Sequence, residues 1–429
     1  MTTVASTLLT FVGRTAANRA YKQARYRFDD GVEVESKLFA AAAVSWMRRR
    51  RQPPDRMLIV GTPTSGWDVL MELVERLAPA HAEDALEWAV PVSEALAVGA
   101  VAPESLREFE QRFNEALGVR LDLVLAQNDG DSVFAALNGA LAPNEQVVLD
   151  ITHSYRSMPV HALVALGAMR WLKGVRLGDI IYGSLDETDP TGVSAARSLG
   201  STSELAQATP ALAQLALVDD VGSIAPYLAR GNAELGKRLE DTQRLEAIMQ
   251  FDSAAQPRGQ ALGTLRAFGG SPAVSETAAM LRETLESMDK GRGSQGLLNR
   301  ARRALGRNDF MRAVGLANEA LALRVVERHE LRRKADEAIR AAGLPDGDLY
   351  RTLNQLARAE LARNADRVDA PRLPTMRPYA SLQRLNAARN AVMHAGSSIS
   401  GQTVPQELLS ADSLRALLEW SFRFYDFLN

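Results

Sequence analysis

Cysteine is missing from this 429-residue sequence, and its absence excludes several kinds of chemistry. Without thiols there are no disulfides, no thiolate zinc sites and no cysteine nucleophiles. The Gly-x-x-x-x-Gly-Lys-Ser/Thr pattern of a phosphate-binding loop is also missing. Ser65 lies in Pro-Thr-Ser-Gly-Trp rather than in a Gly-x-Ser-x-Gly elbow, so the sequence does not favour serine hydrolysis.

Histidine is scarce, which limits both metal binding and acid–base chemistry. The five histidines are His81, His153, His161, His329 and His394. None of them combines with Asp or Glu at the spacing of a metal-binding motif. We therefore predict no metal site and no resident cofactor.

Long apolar runs are missing as well, and no apolar segment of the sequence is long enough to span a membrane. The apolar start, Met1–Gly13, lacks the basic segment of a signal peptide, and no small-residue cleavage site follows it. A content of 46% hydrophobic and 24% charged residues is ordinary for a globular protein. We expect a cytoplasmic protein of two or three domains.

The net charge of -2 combines two unequal parts of the chain. Residues 291–429 hold 22 Lys+Arg against 15 Asp+Glu, a net of +7, whereas residues 1–290 hold 28 against 37, a net of -9. Arginine supplies nearly all of the C-terminal positive charge, and its planar guanidinium matches phosphate geometry. Contact with a polyanion fits this pattern, and solvated helix faces explain it equally well.

Strands and helices alternate in the first half of the sequence. Strands are predicted at Val4–Val12, Tyr21–Phe28, Met57–Val60, Val119–Ala126, Gln146–Ile151 and Leu177–Ser184. Helices are predicted at Ser36–Arg51, Trp67–Leu77, Pro103–Leu117, Ser132–Leu141 and Met158–Lys173. This alternation predicts a mostly parallel, Rossmann-like α/β sheet with helices on both faces and right-handed crossovers.

The pattern changes after Asp189-Pro190, where helices follow and no clear strand is visible. The helices are predicted at Leu205–Leu217, Ile224–Met249, Leu297–Arg340, Tyr350–Arg363, Tyr379–Ala395 and Ser413–Leu428, with Gln256–Ala273 as a looser connector and a second break at Gly291–Gly296. We therefore predict an α/β domain at residues 1–190, a helical connector at 191–290 and an all-α helical bundle at 291–429.

The most informative stretch is the one from Val147 to Pro159, where an apolar strand ends in Asp150 and a polar turn leads into a helix. Ligands of open α/β sheets bind at the carboxyl ends of such strands. The N-terminus of the following helix favours anions, phosphate above all. The alternative interpretation is a simple strand–turn–helix junction in which Thr152 or Ser154 caps the helix.

Several other polar turns also follow predicted strands, and parallel strands bring their carboxyl ends to one edge of a sheet. We therefore expect one ligand site that collects residues from all of these turns. Its candidate residues are Gly13, Arg14, Thr62, Thr64, Ser65, Asn128, Gly130, Thr152, His153, Ser154 and Arg156.

A second candidate site lies in the last part of the chain, in the segment from Arg389 to His394. Five positions correspond to about 140° around a helix, so the two side chains do not share a stripe and do not form a simple metal pair. Histidine moves protons near neutral pH and arginine holds phosphate, and metal-free RNA cleavage needs both abilities. The alternative is a helix-capping histidine and an unrelated surface arginine.

Together the two stretches resemble a known protein family. The first half resembles the CARF domains of CRISPR-associated proteins, in the branch marked by Asp-x-Thr-His-Gly, because Asp150-Ile151-Thr152-His153-Ser154 follows that motif. The second half resembles HEPN domains, in which Arg is followed after four to six residues by His, with a polar residue such as Asn390 directly after Arg. Ser154 departs from the family motif by replacing its glycine.

The resemblance implies an effector ribonuclease of type III CRISPR immunity. A cyclic oligoadenylate would bind to the CARF domains as an activator, and the HEPN domains would then cleave single-stranded RNA non-specifically without a metal. It also implies a homodimer in which two copies of Arg389, Asn390 and His394 surround one cleft.

Two other functions stay open at this point. One is a ligand-gated regulator that binds nucleic acid without cutting it. The other is a CARF domain that also cleaves its own ligand. The size of the activator ring stays open too, since the sequence fits a ring of either four or six adenylates.

Overall fold

The chain forms two compact units, Met1–Thr209 and Pro210–Asn429, each with its own apolar core. The computed structural model describes residues 6–13, 21–99, 101–153, 155–269, 272–291, 293–328, 331–342, 349–369, 378–393 and 410–428. No described helix is long and apolar enough to cross a membrane. The finer division into 1–190, 191–290 and 291–429 stays a prediction.

An eight-stranded sheet forms the centre of the first unit. Its strands are β1 (Ser6–Val12), β2 (Ala24–Arg27), β3 (Glu33–Ser36), β4 (Arg56–Gly61), β5 (Arg120–Leu125), β6 (Gln146–Asp150), β7 (Arg176–Ser184) and β8 (Val193–Ser198). Their order across the sheet is β3-β2-β8-β7-β6-β1-β4-β5. Among the described strands, β2–β3 and β7–β8 pair antiparallel and the other five pairs are parallel, so the sheet is mostly parallel, as the sequence predicted.

Helices connect these strands in the order predicted for an α/β fold. They are α1 (Phe39–Arg49), α2 (Met71–Leu77), α3 (Ala82–Trp88), α4 (Val90–Ala97), α5 (Pro103–Leu117), α6 (Gly130–Ala140) and α7 (Met158–Lys173), and α8 (Gly200–Val218) follows β8 in the sequence. The bounds of α5 and α7 match the prediction, because each helix has proline in its first turn and ends at a glycine with positive φ, Gly118 or Gly174.

The central strands divide their side chains between two apolar layers. In β1, Leu8 and Val12 belong to one layer, whereas Leu9 and Phe11 belong to the other. This alternation follows from the two-residue period of a strand. Helices such as α1 and α5 contribute to the first layer, and α6 and α7 contribute to the second. The predicted covering of both sheet faces is therefore present.

Two strands of the first unit were not predicted. β3 has only four residues, and β8 comes after Pro190, where we expected no further strand. That expectation was wrong. The β8 sequence, Val-Ser-Ala-Ala-Arg-Ser, lacks an apolar alternation, and pairing with both β7 and β2 keeps it in the sheet. Tertiary pairing overrides local sequence preference in such strands.

The second unit consists of helices in the part of the chain that the structure describes. They are α9 (Ala225–Ala229), α10 (Ala233–Ala247), α11 (Phe251–Arg266), α12 (Pro272–Asp289), α13 (Gly293–Gly306), α14 (Phe310–Arg328), α15 (Leu331–Ala342), α16 (Leu349–Asn364), α17 (Pro378–Met393) and α18 (Ala411–Phe427). Trp420, Phe424 and Tyr425 of α18 are fully buried and pack into the core that α13, α14 and α17 share.

Two sequence-based expectations about this unit were wrong. The predicted loose connector Gln256–Ala273 largely belongs to α11, although Pro257 removes one of its backbone hydrogen bonds. Burial of Ala254, Ala261 and Leu265 offsets that cost. The predicted single stretch Leu297–Arg340 is instead divided among α13, α14 and α15. The turn after α13 contains Asn308 with a φ of 61°, a conformation that asparagine tolerates.

Candidate functional site

The sheet has a topological switch point between β1 and β6. On one side of β1 the sheet continues with β4 and β5, and on the other side it continues with β6 and β7. Ligands of open α/β sheets bind in the crevice outside the carboxyl ends of the two strands at such a point. Gly13 follows β1, and the turn that begins with Ile151 follows β6, so both flank this crevice.

Asp150 anchors the turn after β6. Its side chain is fully buried, where Oδ2 accepts a 2.7 Å hydrogen bond from Thr10 Oγ1 and Oδ1 accepts a 2.9 Å bond from the Thr152 backbone N–H. Burial raises the pKa of this carboxyl group above its usual range. Thr152 Oγ1 in turn accepts a 2.8 Å bond from the Gly183 N–H. The Asp-x-Thr part of the motif therefore fixes the turn against β1 and β7.

His153 is half-buried between two tyrosines. Its Nε2 lies 3.4 Å from Tyr26 Oη, and its ring meets that of Tyr21 edge to face at 5.2 Å between centroids. Burial lowers the pKa of His153 from 6.5 to about 4, because the charged form is poorly solvated there. At neutral pH the imidazole is uncharged, which suits a hydrogen bond to a nucleobase better than attraction to a phosphate.

Gly183 lets Tyr26 occupy this position. A Cβ atom on Gly183 would lie 2.7 Å from the Tyr26 ring and 2.6 Å from the Phe39 ring, which is too close for any side chain. Gly183 on β7 therefore makes room for Tyr26, whose hydroxyl contacts His153.

Tyr21, which was not among the predicted site residues, connects three of the turns at this edge. Its hydroxyl donates to the Gly13 carbonyl at 3.1 Å and accepts from the Gly13 N–H at 3.0 Å. The Gly66 N–H, from the turn after β4, donates to the same carbonyl at 3.0 Å. Burial raises the pKa of Tyr21. In the sequence, Tyr21 was visible only as the aromatic first residue of Tyr21–Phe28, a segment predicted to be a strand.

The turn after β4 uses most of its hydroxyl groups internally. Ser65 Oγ accepts a 2.9 Å bond from the Thr62 N–H and lies 3.1 Å from Thr62 Oγ1. The Thr62 carbonyl accepts a 2.8 Å bond from Trp67 Nε1. Thr62 and Ser65 are buried, whereas Thr64 is exposed beside them with its hydroxyl 3.3 Å from that of Thr62. Thr64 is therefore the side chain of this turn that solvent or a ligand reaches directly.

The turn after β5 reaches the beginning of α7. Asn128 Oδ1 accepts a 2.7 Å bond from Ser157 Oγ, and Asp129 caps α6 through a 2.8 Å bond from the Ser132 N–H. Gly130 lies next to His161, because a Cβ atom added to it would meet His161 Nδ1 at 3.7 Å. These contacts place Asn128 and Gly130 beside the turn that follows β6.

Arg156 is exposed, and no residue in the described ranges bonds to its guanidinium. It is therefore available to an anionic ligand. Arg14 and Ser154 lie outside the described residues.

The second candidate site is on α17. Arg389 donates from Nη2 to Glu319 Oε1 of α14 at 3.1 Å and from Nη1 to Asn390 Oδ1 at 3.2 Å. A 2.7 Å bond from Asn318 Nδ2 to Asn386 Oδ1 also joins the two helices. These contacts hold the Arg389 guanidinium in a partly exposed position, with 24% of the side chain accessible. His394 lies outside the described residues.

Metal ligands were not expected at either site. Over the residues whose placement is described, no group of three or more His, Cys, Asp or Glu side chains could hold a metal ion.

Among known proteins, one is similar to part of the chain in sequence, and another aligns with it only weakly in structure. No protein family model matches the chain. It is 24% identical over 247 residues to "CRISPR-associated protein MJ1674" of Methanocaldococcus jannaschii, a match that covers 53% of this chain and 38% of that protein. Enterococcus italicus Csm6 bound to cyclic hexa-2'-fluoro-hexa-dAMP aligns over 99% of this chain and 94% of its own at 11% identity, with a TM-score of 0.33, below the level at which two chains share a fold. Over about half its length, the chain is thus similar in sequence to a protein named as CRISPR-associated.

Proposed function

We propose that this chain is a type III CRISPR effector whose first unit binds a cyclic oligoadenylate and whose second unit cleaves RNA. The observation that carries the proposal is the convergence of turns at the switch point, where Gly13, Thr64, Asn128 and His153 flank one crevice. The similarity to a CRISPR-associated protein and the Asp-x-Thr-His motif support the same function.

The groups at the crevice match the two parts of an oligoadenylate. The exposed guanidinium of Arg156 would hold a phosphate, since charge-assisted bonds to phosphate are strong. The neutral imidazole of His153 would pair with an adenine edge or a ribose hydroxyl. Arg14 and Ser154 would complete the ligand shell from the turns after β1 and β6. A ligand with alternating phosphates and bases fits this combination better than inorganic phosphate does.

A second copy of the chain would complete the ligand site. On α7, Val160, Val164 and Trp171 are more than half exposed, and with Gly167 they lie within about 60° of one another around the helix. Space beyond Gly167 is open, so another helix can approach closely there. Because α7 begins directly after the Thr152–Arg156 turn, a two-fold pairing of this face would bring two such turns together around a symmetric ring.

RNA cleavage would take place at the surface that holds Arg389. Arg389 would stabilise the negative charge that develops on the phosphate, and Asn390 would orient the arginine through its 3.2 Å contact. His394 would assist proton transfer when the 2'-hydroxyl attacks phosphorus. The P–O5' bond then breaks, leaving a 2',3'-cyclic phosphate on one product and a 5'-hydroxyl on the other. Paired helical units would place two sets of these residues around one cleft.

The test is an RNA-cleavage assay with purified full-length protein, rings of four or six adenylates, and EDTA. We expect one ring size to switch on cleavage of single-stranded RNA, with products that end in a 2',3'-cyclic phosphate and rates that EDTA leaves unchanged. Tight ring binding without cleavage would instead support the non-cutting regulator. Loss of the ring itself during incubation would show that the first unit also cleaves its ligand.

A further inference from the structure

A small apolar groove lies next to Arg389 in the helical unit. Its volume is about 210 Å³, and α13, α14 and α16 form its walls. Leu297, Ala322, Leu323, Val326 and Leu353 supply the apolar surface. Pockets for drug-sized ligands have volumes of about 300–1,000 Å³, so this groove suits a smaller group, about the size of a single nucleobase.

Two polar side chains face the same groove, Glu319 and Asn354. Glu319 Oε1 is engaged by Arg389, but no residue in the described part of the chain bonds to Oε2, and the side chain is 44% exposed. Asn354 Oδ1 accepts a 2.9 Å bond from Arg358 Nε, and its Nδ2 has no partner among the same residues. The groove therefore offers one charged acceptor and one neutral donor.

We propose that this groove binds one unpaired base of the RNA substrate, and that it selects bases with an exocyclic amine. This inference rests on the proposed RNA cleavage. Single-stranded RNA is commonly recognised by apolar contact with a splayed base and hydrogen bonds to its edge. An amine of adenine, cytosine or guanine donates to Glu319 Oε2, and Asn354 Nδ2 donates to the neighbouring ring nitrogen or carbonyl.

Uracil fits the groove poorly for an electrostatic reason. Its hydrogen-bonding edge carries one N–H between two carbonyl oxygens. When that N–H donates to Glu319 Oε2 and one oxygen accepts from Asn354 Nδ2, the other oxygen lies beside the carboxylate without a donor. A buried or half-buried acceptor that meets another acceptor loses a hydrogen bond to water and gains none. The expected order is therefore amine-bearing bases over uracil.

Glu319 also links base binding to the proposed catalytic arginine. One carboxylate holds Arg389 through Oε1 and would receive the base amine through Oε2, which makes Glu319 a positioning residue. A base that satisfies Oε2 fixes the carboxylate, and with it the guanidinium. The identity of the base is then expected to change kcat as well as KM.

Replacing Glu319 by glutamine gives a sharp test, because Arg389 has only donors. The arginine requires the Gln carbonyl oxygen, so the Gln amide N–H groups must face the groove. A donor there favours the carbonyl oxygens of uracil. Glu319→Gln should therefore reverse the base preference, a result that a merely structural role for Glu319 does not produce.

The experiment uses activated full-length protein and DNA strands that contain one ribonucleotide, with the base varied at that position and at the next one. Wild type should cut A, C or G at one of these positions with a kcat/KM about tenfold or more above that for U. Ala322→Leu, which fills the groove, should raise KM about tenfold, while Ala359→Leu on an exposed position of α16 should change nothing.

Binding of 2'-O-methyl strands, followed by fluorescence anisotropy, separates this inference from the proposed function. If wild type cuts no RNA but still binds amine-bearing strands more tightly, and Ala322→Leu removes the difference, the groove assignment survives and the nuclease does not. Equal cleavage and equal binding of all four bases would overturn the base site. An Ala322→Leu protein whose only change is dissociation into monomers would also overturn the base site. That result would show that a second copy of the chain occupies the groove in wild type.

Discussion

His153 Nε2 lies 3.4 Å from the hydroxyl oxygen of Tyr26, and this contact places the histidine of the Asp-x-Thr-His turn in a poorly solvated position. The pKa of His153 is lowered to about 4 as a result. His153, one of the candidate residues of the predicted ligand site, is thus a neutral hydrogen-bonding group at neutral pH. Any attraction of the site for anions then depends on arginines and backbone N–H groups.

Stability should depend on pH through His153. Below about 6.5 the unfolded chain takes up a proton at this residue, whereas the folded chain does not until about 4. The contribution of His153 to the free energy of unfolding should therefore fall by about 3 kcal/mol as pH decreases from 6.5 to 4. Urea unfolding followed by tryptophan fluorescence measures it, since four of the five tryptophans lie in the first unit.

The matched variants for this measurement are His153→Gln and His81→Gln. The side chain of His81 is 44% exposed, and its Nδ1 lies 3.2 Å from Asp84 Oδ2. The first variant should lose most of the pH dependence in that window, and the second should keep it. An unchanged slope in His153→Gln would contradict the assignment.

Arg156→Ala should weaken binding of the cyclic oligoadenylate by about 1.5–3 kcal/mol, because a charge-assisted bond to phosphate is removed. Calorimetry at constant ionic strength gives the affinity. Arg176→Ala is the control, since Arg176 is also exposed but lies at the start of β7, on the opposite edge of the sheet. Equal losses in both variants would indicate a general charge effect rather than a site.

His394→Ala should lower the rate of RNA cleavage by about 10²–10⁴-fold, the range for one positioned acid–base group. Affinity for the cyclic oligoadenylate should stay unchanged, because the substitution is made in the other unit. Rates are measured by gel electrophoresis of a labelled RNA, with and without EDTA. Full activity in the variant, or inhibition of wild type by EDTA, would refute the mechanism.

Val164→Lys should weaken the proposed homodimer, because it places a charge in the apolar stripe of α7. Light scattering over a concentration series should show a larger monomer fraction, together with weaker ring binding. Val98→Lys is the control, since Val98 is 87% exposed at the end of α4 and far from that stripe in sequence. A monomeric wild type at active concentrations would show that no dimer is needed.

Much of the α/β unit was predictable because its signals are local. The helix Met158–Lys173 is bounded by proline and glycine, and the turn from Asp150 to Arg156 combines a strand end with a helix start. Periodicity and stop signals of this kind depend on a few neighbouring residues. These local signals were enough to predict that the switch-point turns lie on one edge of the sheet.

The features that could not be predicted from the sequence depend on contacts between residues that are distant in the chain. Tyr21 joins the site through bonds to Gly13 and through the ring of His153, which lies more than 130 positions later. Glu319 reaches Arg389 across 70 positions. No local pattern marks either residue. The same reason applies to β8, which is a strand because two other strands flank it.

The position of β1 in the sheet has a consequence for biosynthesis. The bond from the Ser6 N–H to Asp55 closes 49 residues, but the bond from Thr10 to Asp150 closes 140. At ribosomal rates of about 5–20 residues per second, β1 can pair with β4 about 5–20 s before β6 has been made. Throughout that interval the nascent chain exposes an unpaired edge of its central strand, and such edges recruit other chains. Translational pausing between β5 and β6 should therefore favour aggregation more than pausing after β6.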